Sequence, residues 1–378
     1  MTGYFPAESV KLIFSGNDFF KTLESFIDNA KETIHFQIYI FEEDETGKQI
    51  AEALLRAANR GVEIYLLVDA YGSKDLSIDF IKKIQQGAIK FRFFSPLFSK
   101  ESIYWGRRLH HKVVVIDKTV SMVGGINIGD RYRGSETAPA WLDYAALIKG
   151  DVCLELHNLC SALFEKKRFR QAEQVTVLKE KETGTPLVRF SKNDWIKGQN
   201  EIHKRALYSF RNAKRTIVII SSYFLPGYSY RRALKNARKR GVNVKVILAG
   251  QSDMRFLLYA EKHLYRFLCR QGIEICEWTD SVLHGKAIMV DQEWVSIGSY
   301  NLNYLSRYWS IELNTEVKDV DFINEFSNHL DLIVASRCIL VDANQMRTFG
   351  LFAKIRNAVA YFIYRIMMKI FFSKKHKH

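Results

Sequence analysis

Residues 109–132, LHHKVVVIDKTVSMVGGINIGDRY, and residues 283–304, LHGKAIMVDQEWVSIGSYNLNY, are one pattern written twice. His110, Lys112 and Asp117 stand at the spacing HxKxxxxD, and Gly124, Gly125 and Asn127 follow. His284, Lys286 and Asp291 repeat that spacing, with Gly298, Ser299 and Asn301 at the same interval. One His-x-Lys carries little information, because the pair occurs by chance on many strands. Two complete copies with the same Gly and Asn downstream do not arise that way. The flanks VVVID and AIMVD are β-rich, so each His and Lys lies on a strand, where residues two apart project from one face. His110 therefore points with Lys112, and His284 with Lys286. Asp117 and Asp291 fall on the opposite face or at the strand end. They are read as anchoring the turn or a lysine, since a carboxylate beside a phosphate repels it. His111 faces away from His110 and is read as a packing or surface residue.

The repeat extends outward from the motif. AKETIHFQIYIF from Ala30 matches AKRTIVIISSYF from Ala213, and each reads as a helix end running into a buried strand. Each is followed by a helix rich in Ala, Leu, Lys and Arg that closes on Gly61 or Gly241, then by a strand, VEIYLLVDA or VNVKVILAG. Alternating strands and helices predict an α/β protein of two similar α-β-α halves. The sheets are expected to be mixed and largely parallel, with the halves related by a pseudo-twofold axis and the active site between them. The expected units are 1–165 and 195–345, joined by a linker over 166–194 that contains VTVLKEKETGTPL. Residues 346–378 form a basic amphipathic helix and tail.

Lys and Arg number 56 against 41 Asp and Glu, a net charge of +15, which favours anionic partners: phosphorylated substrates, an acidic lipid surface or nucleic acid. Cys153, Cys160, Cys269, Cys276 and Cys338 are odd in number and show no CxxC spacing, so neither a disulfide framework nor a metal site is indicated. This usage suits a reducing cytoplasm. The first residues carry no basic n-region followed by an apolar stretch, and charge interrupts every apolar run before the ~18 residues a membrane span needs. From Leu351 the chain reads LFAKIRNAVAYFIYRIMMKIFFSKKHKH, with Lys354, Arg365 and Lys369 along one side of a helix. This suits a helix lying in a membrane interface; the alternative is a helix packed on the body with a solvated tail.

A phosphodiester transition state spreads negative charge over its equatorial oxygens, and Lys112, Lys286, Asn127 and Asn301 form a set of cations and donors able to bind it. Displacement needs a nucleophile and an acid for the leaving oxygen. One neutral and one protonated imidazole meet both needs near neutral pH, with no cofactor and no metal.

The duplicated motif resembles that of the phospholipase D superfamily. The chain is most similar there to bacterial cardiolipin synthases, through Arg108 before the first histidine, GGINIGDRY, WLDYAALIKG from Trp141, and LHGKAIMVD. The likeness covers about residues 10 to 340, but the membrane-spanning N-terminal helices of many cardiolipin synthases are missing. The resemblance implies a covalent phosphatidyl-histidine intermediate, with His110 as nucleophile and His284 as acid and then base. It also implies carboxylates on the far ring nitrogens, which points to Asp143 and Glu316, reaching across to the other half's histidine. Glu312, on the same strand face, is a rival to Glu316. Three functions follow: phosphatidyl transfer as in cardiolipin synthesis, phospholipase D hydrolysis, and a nuclease of the same superfamily. The amphipathic tail and the GGINIGDRY likeness favour the first. The expected partners are anionic phospholipids and a membrane surface rather than nucleic acid. The expected location is cytoplasmic, peripheral on the inner face of the cell membrane.

Overall fold

The structure is a computed structural model describing residues 3–86, 88–96, 107–167, 184–341 and 350–373. Most of VTVLKEKETGTPL and the last five residues lie outside these. The described chain forms a seven-stranded and an eleven-stranded sheet, each carrying one copy of the motif. In the first, the motif strand Lys112–Ile116 lies between Val120–Gly124 and Thr33–Ile38. In the second, Lys286–Val290 lies between Trp294–Gly298 and Thr216–Ser221. Both sheets are mixed, as expected, but the expectation of largely parallel pairing does not hold. Parallel pairs are concentrated in the strand–helix–strand units, Thr33–Ile38 with Glu63–Asp69 and Lys90–Phe94, and Thr216–Ser221 with Asn243–Ala249 and Glu274–Trp278. The motif strands instead run into hairpins, which are antiparallel by construction.

Those hairpins explain the aspartates. Asp117 and Lys118 have φ of 49° and 62°, and Asp291 and Gln292 have 55° and 54°: a left-handed pair at the tip, whose backbone twist suits a hairpin. Asp tolerates that conformation better than most side chains. The Asp117 carboxylate accepts the backbone N–H groups of Lys31, Glu32 and Thr33, and Asp291 those of Lys214, Arg215 and Thr216. Each aspartate thus ties its hairpin to the start of the neighbouring strand, at the end of the motif strand away from the histidine.

Tyr144 and Val113 of the first half and Val295, Ile297 and Phe326 of the second belong to one apolar cluster, so the two sheets share a core. Two short segments of the first half reach over to the second sheet. Phe5–Pro6 pairs with Leu187 and Val188 at the edge of the second sheet, and Arg108–Leu109 pairs in parallel with Ser310 and Ile311. The expected linker 166–194 is therefore too long: its last eight residues, Leu187–Asp194, are a strand paired along Ser310–Lys318. Alternation in LVRFSKND is weak because the strand is buried on both faces, and only its first residue is half-buried.

The C-terminal helix Leu351–Ser373 fits both alternatives raised for it. Asn357, Ala360, Tyr364 and Met368 are buried at helical spacing, against Leu257, Ala260 and Leu264 of the helix Arg255–Arg270. The opposite face is also apolar and open to solvent: Phe352 is 90% exposed and Phe362 65%, with Ile355, Val359, Ile366 and Ile370 along the same stripe. Among the described residues no helix is long and apolar enough to cross a membrane.

Candidate active site

Each histidine is held by two consecutive residues of the other half. The His110 N–H donates to the Ile311 carbonyl at 2.9 Å, and the next residue, Glu312, accepts from His110 Nδ1 at 2.8 Å. The His284 N–H donates to the Leu142 carbonyl at 2.8 Å, and the next residue, Asp143, accepts from His284 Nδ1 at 2.5 Å. Backbone and ring are fixed by the same short segment, and the arrangement repeats across the pseudo-twofold. A carboxylate on Nδ1 sets the tautomer and leaves Nε2 as the reactive nitrogen of both rings. Each ring also has an aromatic neighbour: Tyr39 lies 4.8 Å from His110, and Tyr132 5.2 Å from His284, centroid to centroid.

Asp143 is where the sequence reading puts it, on the other half's histidine. Glu316 is not. Its carboxylate accepts from the Tyr4 and Ser191 hydroxyls, Arg205 Nε and Trp294 Nε1, a buried network away from His110. The counterpart of Asp143 is Glu312. Sheet register gives the equivalence: Gly124 faces Ala145, two residues after Asp143, and Gly298 faces Asn314, two residues after Glu312. Counting forward from Asn127 and Asn301 hides this, because the first half carries a longer loop before its carboxylate. The glycine and serine after these positions differ for a related reason. A Cβ on Gly125 would come within 2.3 Å of Asp143 Oδ1, whereas Ser299 turns its hydroxyl to Glu312 Oε2 at 2.5 Å.

Lys112 donates to the His110 carbonyl at 3.0 Å and Lys286 to that of His284, which anchors each ammonium beside its own histidine. Burial pushes Lys112 down to about 7 and Lys286 down to about 8, and the Lys286 charge adds to the depression of Lys112. Burial also lowers both histidines, His284 to about 4 with Lys286 contributing, against the opposing pull of Asp143 and Glu312. Burial alone would raise Asp143, but Lys286 and the His284 hydrogen bond outweigh it and hold the carboxyl below its usual range. At neutral pH the site by itself therefore holds two neutral imidazoles, an ionised Asp143 carboxylate and two easily discharged lysines.

The asparagines part company. Asn127 is fully buried with both ends of its amide engaged, Oδ1 accepting from the Ile40 N–H and Nδ2 donating to the Tyr132 hydroxyl. Asn127 thereby supports Tyr132, the ring beside His284. Asn301 uses Oδ1 to accept from the Ser222 hydroxyl. His111 is buried, with Nδ1 against the Gln37 amide oxygen at 3.0 Å and burial pushing it down to about 3. Arg108 lies at the rim, 3.9 Å from the Asp69 carboxylate and over the Tyr71 ring. Sequence reasoning assigned no role to Tyr39 or Tyr132, although the latter closes the run GGINIGDRY.

The model of the family described as "Cardiolipin synthase, PLD-like domain" matches residues 23–137 and 207–333. Cardiolipin synthase B of Escherichia coli (strain K12) is 31% identical over 345 residues, covering 89% of this chain and 83% of that protein. Cardiolipin synthase of Geobacillus kaustophilus is 28% identical, covering 84% of this chain and 64% of that protein. The crystal structure of phosphatidylserine synthase from Haemophilus influenzae Rd KW20 superposes with a TM-score of 0.77 at 14% identity, over 97% of this chain and 95% of that one, and so shares the fold.

Proposed function

Since the chain belongs to the PLD-like cardiolipin synthase family of the phospholipase D superfamily, we propose that it makes cardiolipin from phosphatidylglycerol and a second phospholipid through a phosphohistidine intermediate. The observation that carries this reading is the reciprocal pairing of His110 with Glu312 and of His284 with Asp143. His110 Nε2 attacks phosphorus, the bond to the glycerol oxygen breaks, and His284 gives that oxygen its proton. The hydroxyl of the second lipid then loses its proton to His284 and attacks phosphorus, and the P–N bond to His110 breaks. Lys112 and Lys286 balance the charge on the non-bridging oxygens. Purified protein with phosphatidylglycerol vesicles, with and without phosphatidylethanolamine, tests this by the mass of the lipid products. Cardiolipin supports the reading, phosphatidic acid alone replaces transfer with hydrolysis, and digestion of DNA without lipid turnover makes the protein a nuclease.

The reaction needs His284 protonated and both lysines charged, whereas the free site at pH 7 falls short of that proton count. Productive binding of the phosphodiester anion must take up protons. Raising the pH from 6 to 9 crosses the lowered lysine values of about 7 and 8, so kcat/KM on a soluble short-chain phosphodiester is expected to fall by at least about tenfold. A flat profile across that range contradicts the assignment.

The outer stripe of the C-terminal helix, flanked by Lys354, Arg365 and Lys369, is read as the surface that meets anionic lipid on the inner face of the membrane. Deleting the helix would strip Leu257 and Leu264, so the sharper test replaces Phe352, Phe362 and Ile366 by Ser and leaves the packed face intact. Each side chain is worth on the order of 1.5–3 kcal/mol when fully buried in lipid. Turnover on anionic vesicles, relative to turnover of a soluble substrate, should drop at least about tenfold. An unchanged ratio, with unchanged co-sedimentation, removes the helix from membrane binding.

A further inference from the structure

The halves agree at histidine, lysine and an orienting carboxylate, and one of the places where they differ lies at the rim. The fourth residue after Glu63–Asp69 is Ser73, and the fourth after Asn243–Ala249 is Asp253. Ser73 is buried, with its hydroxyl accepting from the Phe41 N–H at 2.8 Å and donating to the Tyr39 carbonyl at 3.2 Å. Asp253 is exposed, and its carboxylate accepts from the Tyr223 hydroxyl at 2.6 Å. Tyr223 is tied to the second motif, its carbonyl accepting from Asn303 Nδ2 at 3.3 Å and its neighbour Ser222 donating to Asn301. The Asp253 charge acts on Lys286 and on Tyr132, the ring packed beside His284. Ser221, two residues before Tyr223, is paired with Lys286 in the sheet, which puts Tyr223 and Asp253 at the rim beside the second motif.

A fixed negative charge beside a phosphate site opposes binding of the phosphate. A phosphodiester substrate offers such a charge something favourable only in its alcohols. We propose that Asp253, oriented by Tyr223, accepts a hydrogen bond from a second donor on the alcohol that leaves and on the alcohol that enters, a hydroxyl or an ammonium group one or two carbons from the reacting oxygen. The proposal rests on the transfer mechanism above. Both alcohols exchange their proton with His284, so microscopic reversibility puts them in one subsite, and that subsite lies on the side where Asp253 stands. An alcohol without a second donor forgoes that hydrogen bond and is disfavoured.

The test uses full-length protein and phosphatidylglycerol vesicles as donor, with deuterated glycerol and 1-propanol competing at equal concentration. A second arm has ethanolamine competing with ethanol, and lipid products are identified by mass. The readouts are product ratios, which do not depend on the amount of folded enzyme. Wild type is expected to favour the alcohol with the second donor, and Asp253→Asn to lower that preference about tenfold in at least one arm. A change in the glycerol arm alone identifies a hydroxyl as the partner, and a change in the ethanolamine arm alone an ammonium. Tyr223→Phe frees the carboxylate without removing it and should lower the preference less. Ratios within about twofold of wild type in both arms for Asp253→Asn overturn the inference while the transfer mechanism stands. Wild-type protein that cleaves no lipid overturns both.

Discussion

Replacing either His110 or His284 by Gln is expected to lower phosphatidyl turnover by roughly three orders of magnitude or more, because each removes one half of an acid–base and nucleophile pair. Gln keeps much of the ring's volume and can still hydrogen-bond at the Glu312 or Asp143 carboxylate, so the fold should survive. The two variants should nonetheless differ. In His284→Gln the nucleophile remains but both steps lack their acid or base, so with a donor whose leaving group needs no proton, a p-nitrophenyl ester of phosphatidic acid, a phosphatidyl adduct should accumulate on His110. Intact-mass measurement after rapid acid quench detects that adduct. His110→Gln should carry none. The reverse pattern exchanges the two roles, and activity within about tenfold of wild type in either variant rejects the two-histidine mechanism.

The second large effect separates Glu312 from Glu316. Glu312→Gln removes the charge on His110 Nδ1 and leaves Lys112 with less compensation, so kcat should fall roughly 10²–10⁴-fold, the scale of loss when a histidine loses its orienting carboxylate. As Glu312 acts through His110, the kcat/KM pH profile should change shape as well, and Glu312→Asp should recover part of the loss. Glu316→Gln breaks a different set of contacts. Arg205, 20% exposed, loses the carboxylate that is 1% exposed, so stability should fall by about 3 kcal/mol while the folded enzyme keeps kcat within about fivefold. Denaturant midpoints and kcat measured on both variants decide the matter. Equal kcat losses would falsify the assignment of Glu312.

Why one acidic residue was legible and the other was not has a physical reason. Local pattern determines strands and hairpins, so the two motifs, the α/β halves and the side shared by His and Lys follow from residues within a few positions of each other. The carboxylates act across the interface, where sequence distance counts the loop and not the ladder. The glycines, which face Ala145 and Asn314, were the better origin for that count. The contacts of Asn127 were hidden for a related reason: its amide is engaged by Ile40 and Tyr132, partners that only the fold brings near. The C-terminal helix was ambiguous because both faces are apolar, one for the body and one left to solvent. Asp253 and Tyr223 fall outside the repeated motif and are met only when the halves are compared position by position for what they do not share.

The segments that cross from the first half to the second bear on how lipid enters and leaves. Phe5–Pro6 lies at the edge of the opposite sheet, Arg108–Leu109 runs alongside Ser310–Ile311, and Leu142 is paired to the segment just before His284. A clamshell opening would have to unzip these pairings and pull both histidines off their carboxylates together. The catalytic frame is thus a closed rivet, not a jaw, and traffic past it falls to side chains and surface loops at the rim. In such an enzyme, turnover limited by release should respond to changes at the rim and at the bilayer, and be indifferent to cross-links that pin the two halves together.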